Sequence, residues 1–309
     1  VQKLLILVSL MMIFSLFIIN YYYENHQNLK KPRLQHSINE QSYTNKPNKS
    51  QTLNRATSDK ISYSLQNNKL HITYDGGGEW KKVPIEKERL FAGEYNGNKE
   101  QLITGSYLLS ENRVGFLYSI EKGNSTEVVF TSSVDKGKTW EDSMITDTFP
   151  FLRFRKIEFL NDQFGYAILS GDRTMSQEYS NAYTTHDGGA TWNQATNTGV
   201  TRLLADGGFI NEKTGFMSYG TINPVEPDLY VTEDGGNTWT KSIVNIPEKY
   251  DQIFVQAEIP FKDESQLSVL INQGPNGDYL GGKVKGKFTS VDNGKTWSFS
   301  TEVQPNETE

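Results

Sequence analysis

Residues 183–192 read YTTHDGGATW and residues 230–239 read YVTEDGGNTW. A decapeptide spelled almost identically twice asks whether the chain is built by repetition, because a fixed-interval repeat decides the fold before other signals apply. The shared skeleton is Ser/Thr-x-Asp-x-Gly-x-x-Trp, and it occurs five times, at Asp75, Asp135, Asp187, Asp234 and Asp292. Gly follows each Asp by two residues, and the Trp residues five positions on are Trp80, Trp140, Trp192, Trp239 and Trp297, which are all five tryptophans of the chain. Thr73, Ser133, Thr185, Thr232 and Ser290 precede the aspartates by two, and a Thr precedes each Trp except the first, where Glu79 stands.

The residue types dictate a turn. An Asp carboxylate accepts bonds from backbone N–H groups just downstream and Gly supplies a positive φ, so each copy closes a tight turn that the Trp leaves as a strand begins. Between the turns lie short runs with strand periodicity. RKIEFLND (155–162), FGYAILSG (164–171), NAYTTHD (181–187) and TWNQAT (191–196) read as four successive strands, A to D. GGFINE, GFMSYG, DLYVTE and TWTKSI repeat that order, with comparable sets near 101–145 and 253–303. The first set offers only ISYSLQ, KLHITYD and EWKKVPI and no innermost strand.

SSVDKGKTW and YVTEDGGNTW resemble the Asp-box, or bacterial neuraminidase repeat, of β-propellers, over about residues 59–305. The GGFINEKTGFMSYG pattern followed by a box is most similar to the photosystem II assembly-factor-like members, often non-catalytic scaffolds, with sialidase-like propellers also in the family. The resemblance implies an all-β propeller with the boxes at the C–D turns. Box spacings of 60, 52, 47 and 58 residues leave no room for a skipped blade, so about five four-stranded blades are expected.

Ahead of the propeller, assigned to residues 58–305, the uncharged run Leu4–Ile19 follows Lys3 and precedes Tyr21, Tyr22 and Tyr23. Near membrane-spanning length and without an evident cleavage site, it reads as an uncleaved transmembrane anchor within residues 1–20. Residues 21–57, rich in Asn, Gln, Lys and Ser, read as a disordered linker, and 306–309 as a tail. These imply a single-pass cell-membrane protein whose propeller is extracytoplasmic. Residues 1–58 hold 7 basic and 2 acidic groups; from totals of 31 and 37 this leaves 24 and 35 beyond them, a net −11. An acidic domain of this kind is a poor nucleic-acid binder.

Catalytic signals are sparse. The sialidase resemblance implies an arginine triad, a Tyr–Glu nucleophile pair and a further acid, yet no Arg lies beyond Arg202 and no Arg-Ile-Pro signature opens the domain. That argues against sialidase activity; a cell-surface glycoside hydrolase using two carboxylates is the alternative reading. His71 and His186 stand in a strand and a box, no metal-ligand spacing occurs, and no cofactor motif is present. There is no Cys. The longer connections, FPFLRFR (149–155), GDRTMSQEYSN (171–181), TINPVEPD (221–228) and NQGPNGDYLGGK (272–283), fall on the face opposite the boxes, where binding residues of a rigid scaffold concentrate. Arg153, Arg155, Arg173 and Arg202 with Tyr179, Tyr250 and Tyr279 form a candidate basic and aromatic rim for a protein or glycan partner. An ordinary solvated loop surface is the plainer alternative for the same residues.

Overall fold

Why the repeated turns close is visible atom by atom in the computed structural model, which describes residue 53, residues 59–123 and residues 125–305. At the third copy the Thr185 hydroxyl donates to Asp187 Oδ1 at 2.8 Å and accepts from Gly189 N at 2.9 Å. Thr191 N donates to the same carboxylate at 2.9 Å, and the Thr191 hydroxyl binds its other oxygen. The fourth copy repeats this, with Thr238 N at 2.8 Å from Asp234 Oδ1 and Gly236 N at 2.9 Å from Thr232 Oγ1. Gly189 and Gly236 hold φ of 92° and 94°, which explains the invariant glycine within the repeat.

Among the described residues the turns punctuate five sheets. The first contains β1 (Ser62–Ser64), β2 (Lys69–Thr73) and β3 (Lys81–Glu86). The second contains β4 (Tyr107–Leu109), β5 (Val114–Lys122), β6 (Ser125–Ser133) and β7 (Glu141–Phe149). The third contains β8 (Leu152–Phe159), β9 (Gly165–Thr174), β10 (Gln177–Thr185) and β11 (Asn193–Gln194), and the fourth β12 (Leu204–Phe209), β13 (Gly215–Tyr219), β14 (Asp228–Thr232) and β15 (Thr240–Lys241). These four are antiparallel meanders. The fifth gathers β16 (Ile243–Asn245), β17 (Gln256–Ala257), β18 (Phe261–Asp263), β19 (Gln266–Asn272), β20 (Lys285–Ser290) and β21 (Thr296–Val303). In it β16 pairs parallel with β21, so the chain leaving the fourth sheet first lays an outer strand on the fifth.

Four clusters of buried apolar side chains join consecutive sheets. Leu70, Ile72 and Val83 meet Val114 and Phe116; Leu117 and Phe130 meet Ile157 and Leu169; Tyr166 and Ile168 meet Leu204 and Phe209; Phe216 and Val231 meet Ile271 and Phe288. The repeat tryptophans serve these seams. Trp192 lies against Phe130 and Phe159 with centroids 6.1 Å away in each case, and its indole N–H donates to Ser143 of β7 at 3.1 Å. Trp297, fully buried, packs on Phe216 of β13.

Two expectations about loops are corrected. Residues 171–181 are not a loop: β9 and β10 continue pairing to Thr174 and Gln177, leaving only Met175 and Ser176 at the tip. Likewise only residues 150 and 151 separate β7 from β8, so FPFLRFR is mostly strand. Among the described residues the first sheet has three strands, the number offered by ISYSLQ, KLHITYD and EWKKVPI. The expected anchor (1–20), all of the linker (21–57) but residue 53, and the tail (306–309) lie outside the described residues. Among the described residues no helix is long and apolar enough to cross a membrane.

Candidate functional site

In a meander whose C–D turns carry the repeats, the B–C and D–A connections project from the other face. Three of these converge between the fourth and fifth sheets: 220–227 linking β13 to β14, 246–255 linking β16 to β17, and 273–284 linking β19 to β20. Gly274 makes the convergence possible. It has φ of 78°, and a Cβ there would come within 2.9 Å of Val255 Cγ2 and 3.2 Å of Pro224 Cγ, one atom from each of the other two loops. Asn223 and Gln252 also hold positive φ, 45° and 56°, a conformation unusual for side-chain-bearing residues and concentrated at binding sites.

The loops line an open pocket of about 170 Å³. Its polar lining is mainly amide: Asn223, Gln252, Gln273 and Asn276, with Asp278 contributing the one carboxylate. Asn276 Nδ2 donates to Asn223 Oδ1 at 3.1 Å, tying two loops together. Gln273 is buried, and its amide nitrogen donates to the carbonyls of Tyr279 and Val284 at 2.9 and 2.8 Å, while Oε1 has no partner. Pro224, Ile253, Pro275 and Tyr279 supply apolar wall. Ile222, Val225 and Leu280 stand exposed in the same loops, Leu280 at 64% with φ of 47°.

The seven rim candidates divide sharply. Tyr250 and Tyr279 are brought together, with rings 6.1 Å apart, and both phenols donate to the Glu302 carboxylate, Tyr279 at 2.9 Å. The Tyr250 bond, then the Tyr279 bond, lowers the carboxyl pKa of Glu302, whereas its acceptance of the Tyr279 proton raises that phenol. Of the two, only Tyr279 lines the pocket; Tyr250, 2% exposed, packs on Phe254 and Phe299 and is corrected from a rim residue to a core one.

Arg155 requires the same correction. It is 2% exposed, its guanidinium donates to the carbonyls of Leu90 and Ala92 at the end of the 3₁₀ turn Lys87–Phe91, and burial lowers its pKa to about 10. Arg153 spends its donors on the buried carboxylate of Glu178, on Ser170 and on Leu204 O at 2.9 Å, while Leu204 N donates to Glu178. That network joins the third sheet to the fourth. Arg202 pairs with Asp228. The Tyr179 ring lies tilted against Phe149 with centroids 5.5 Å apart, and its oxygen accepts from Asn181 and Gln194. Arg173 is exposed beside the Met175 tip.

Sequence reasoning reached the NQGPNGDYLGGK and TINPVEPD stretches as segments but missed the individual amides. Gln252 and Glu302 carried no signal, because their place depends on which loops meet. Among the described residues no group of three or more His, Asp or Glu is arranged to hold a metal ion. The groove of about 520 Å³ on the repeat face, lined in part by Arg113 and Asp187, follows from the stacking of successive turns.

Comparison with solved structures finds distant likenesses. The Trypanosoma rangeli sialidase in complex with sialic acid is 12% identical, covers 69% of this chain, is itself covered over 40% of its length, and has a TM-score of 0.39. A family 117 glycoside hydrolase produced by the marine bacterium Zobellia galactanivorans is 10% identical, with 70% of this chain and 74% of that one covered and a TM-score of 0.38. For the GH43_1 enzyme from Xanthomonas citri the figures are 9%, 64%, 72% and 0.35. No curated protein matches the chain. The family model described as the DUF6242 beta propeller domain matches residues 22–280, most of the chain, and the protein belongs to that family.

Proposed function

We propose that this protein is a non-catalytic binding or assembly scaffold, a five-bladed Asp-box propeller that offers its long-loop face to a protein or glycan partner. The observation that carries the reading is that three carboxylates on that face are already engaged and a single one, Asp278, lines the pocket. Glu178 is held by Arg153, Asp228 by Arg202 and Lys241, and Glu302 by two phenols. A glycosidase needs two carboxyl groups poised to exchange protons with substrate, and groups fixed in ion pairs serve that role badly. What that face does supply is a pocket at a three-loop junction with exposed apolar side chains around it, the usual make-up of a binding site on a rigid scaffold.

The apolar run Leu4–Ile19 and the polar residues 21–57 support a tether that holds the propeller on the extracytoplasmic side. Capture of partners from native membranes by the full chain tests the binding reading. Association should depend on the 220–227 and 273–284 loops, and purified protein should not turn over glycoside substrates. Turnover abolished by changing one carboxylate on that face would establish the hydrolase instead. Protease added to intact cells should release the propeller by cutting within 21–57; protection until lysis would refute the tethered, outward placement.

A further inference from the structure

Deepening that binding reading, on which it rests, we propose that the three-loop pocket is a subsite for one neutral sugar unit of a glycan. Size is the first constraint. Pockets that take whole drug-sized ligands run from roughly 300 to 1,000 Å³, so a cavity of about 170 Å³ accommodates a single unit of something larger.

Chemistry narrows the unit. Asn223, Gln252, Gln273 and Asn276 present amides, each of which carries an acceptor and two donors. Sugar hydroxyls likewise donate and accept, so they match the amide donors and acceptors left after Gln273 bonds the Tyr279 and Val284 carbonyls and Asn276 bonds Asn223. The buried Gln273 Oε1 is an acceptor without a partner, in a residue that lines the pocket. An unpaired buried acceptor is costly, so this atom favours a donating ligand. Pro224, Ile253, Pro275 and the Tyr279 ring offer the C–H face of a sugar an apolar wall. The Tyr279 proton is already given to Glu302, which leaves its ring as its main offering.

Charge excludes the acidic sugars. No Lys or Arg lines the pocket and the one lining carboxylate is Asp278, so a sialic or uronic acid would lose its hydration with no counter-charge to meet it. A cationic side chain from a protein partner would meet Asp278 and the amide oxygens but would leave the amide N–H donors of Asn223 and Gln252 unused.

The test uses the full chain with neutral xylo-, cello- and manno-oligosaccharides, and with sialyllactose for comparison, read by saturation-transfer NMR and titration calorimetry. A neutral oligosaccharide should bind and sialyllactose should not. Asn276→Ala and Gln252→Gly, both at exposed positions and the second relieving a positive φ, should each weaken binding about tenfold with the unfolding midpoint retained. Tyr279→Phe, which keeps the ring, and Asp278→Asn should each stay within about twofold of the parent. Absence of neutral-sugar binding, preference for sialyllactose, or binding by the two amide variants as tight as the parent's would overturn the proposal. If sugars fail while a membrane protein is still captured through these loops, the binding face stands and the sugar subsite falls; if capture fails as well, both fall.

Discussion

Trp297 and Trp239 occupy the same position of the repeat and differ in what closes over them. Trp297 is 0% exposed, its N–H bonded to Gly294 O at 2.9 Å and its ring against Phe216. Trp239 is half-buried, lies 6.3 Å from Phe209 and donates to Thr196 O at 2.9 Å. Replacing a buried aromatic by Ala costs about 3 to 5 kcal/mol, through lost transfer energy and the cavity left behind. Trp297→Ala should therefore lower the unfolding free energy measured in urea by an amount in that range, and Trp239→Ala by clearly less, since part of its ring is already wet. Equal losses would mean that the repeat position, not its surroundings, sets the energy. The sequence foretells that each Trp anchors a seam, because Asp, Gly and Trp act within one turn. It does not foretell which Trp is sealed, because that depends on side chains from the preceding sheet.

At the scale of elements, polar groups as well as apolar ones weld the sheets. The Arg153 guanidinium lies between Glu178, whose side chain is fully buried, and the Leu204 carbonyl at the start of β12, tying β8 and β10 to the next sheet. Arg153→Ala strands a buried carboxylate, a loss of about 3 kcal/mol at the low end for broken buried pairs because Arg153 keeps 21% of its side chain in solvent. Adding Glu178→Leu should return part of that loss, since no buried charge then remains. A double-mutant cycle in chemical denaturation measures this; a purely additive second loss would show that no coupling exists. Arg202→Ala should cost much less, its side chain being 55% exposed. Both arginines are visible in the sequence as basic residues near loops, and both look free there because their acidic partners lie 25 and 26 residues away in the chain. The same blindness affects residues 171–181. Asp172, Arg173 and Ser176 have loop composition, yet the β9–β10 register carries pairing almost to the tip, where Met175 takes φ of 51°. Strand periodicity marks the sheet cores; where a hairpin ends is decided by pairing, which one strand cannot reveal.

For the whole molecule the five repeats also set a response to acid. The Thr191 hydroxyl, then its backbone N–H, hold Asp187 down at about 2, and at Asp292 partial burial pushes upward but the Thr296 bonds outweigh it and keep it at about 2. Asp75 and Asp135, bonded first to the backbone N–H of Glu79 and Thr139, and Asp234, bonded first to the Thr238 hydroxyl, are lowered too. A carboxyl depressed by folding contributes stability that is fully present above its unfolded value near 3.8 and is lost as pH falls through the folded value. The urea midpoint should thus be level at mildly acid pH and fall steeply between about pH 4 and pH 2. Glu226, Glu233 and Asp263 are lowered as well, each first by a bond from a lysine, at Lys241, Lys295 and Lys287. Salt separates the two sources, because ion pairs of exposed groups weaken as ionic strength rises, whereas bonds from backbone N–H and hydroxyl groups in a closed turn do not depend on a distant countercharge. In about 1 M NaCl, where the Debye length is roughly 3 Å, the acid transition should keep most of its depth. Asp187→Asn combined with Asp234→Asn should lower the midpoint at pH 6 and flatten the fall below pH 4, since two titrating groups are gone. A transition that disappears in high salt, or one the double variant leaves as steep as before, would assign acid sensitivity to the lysine pairs and deny the repeats their electrostatic part in holding the sheets together.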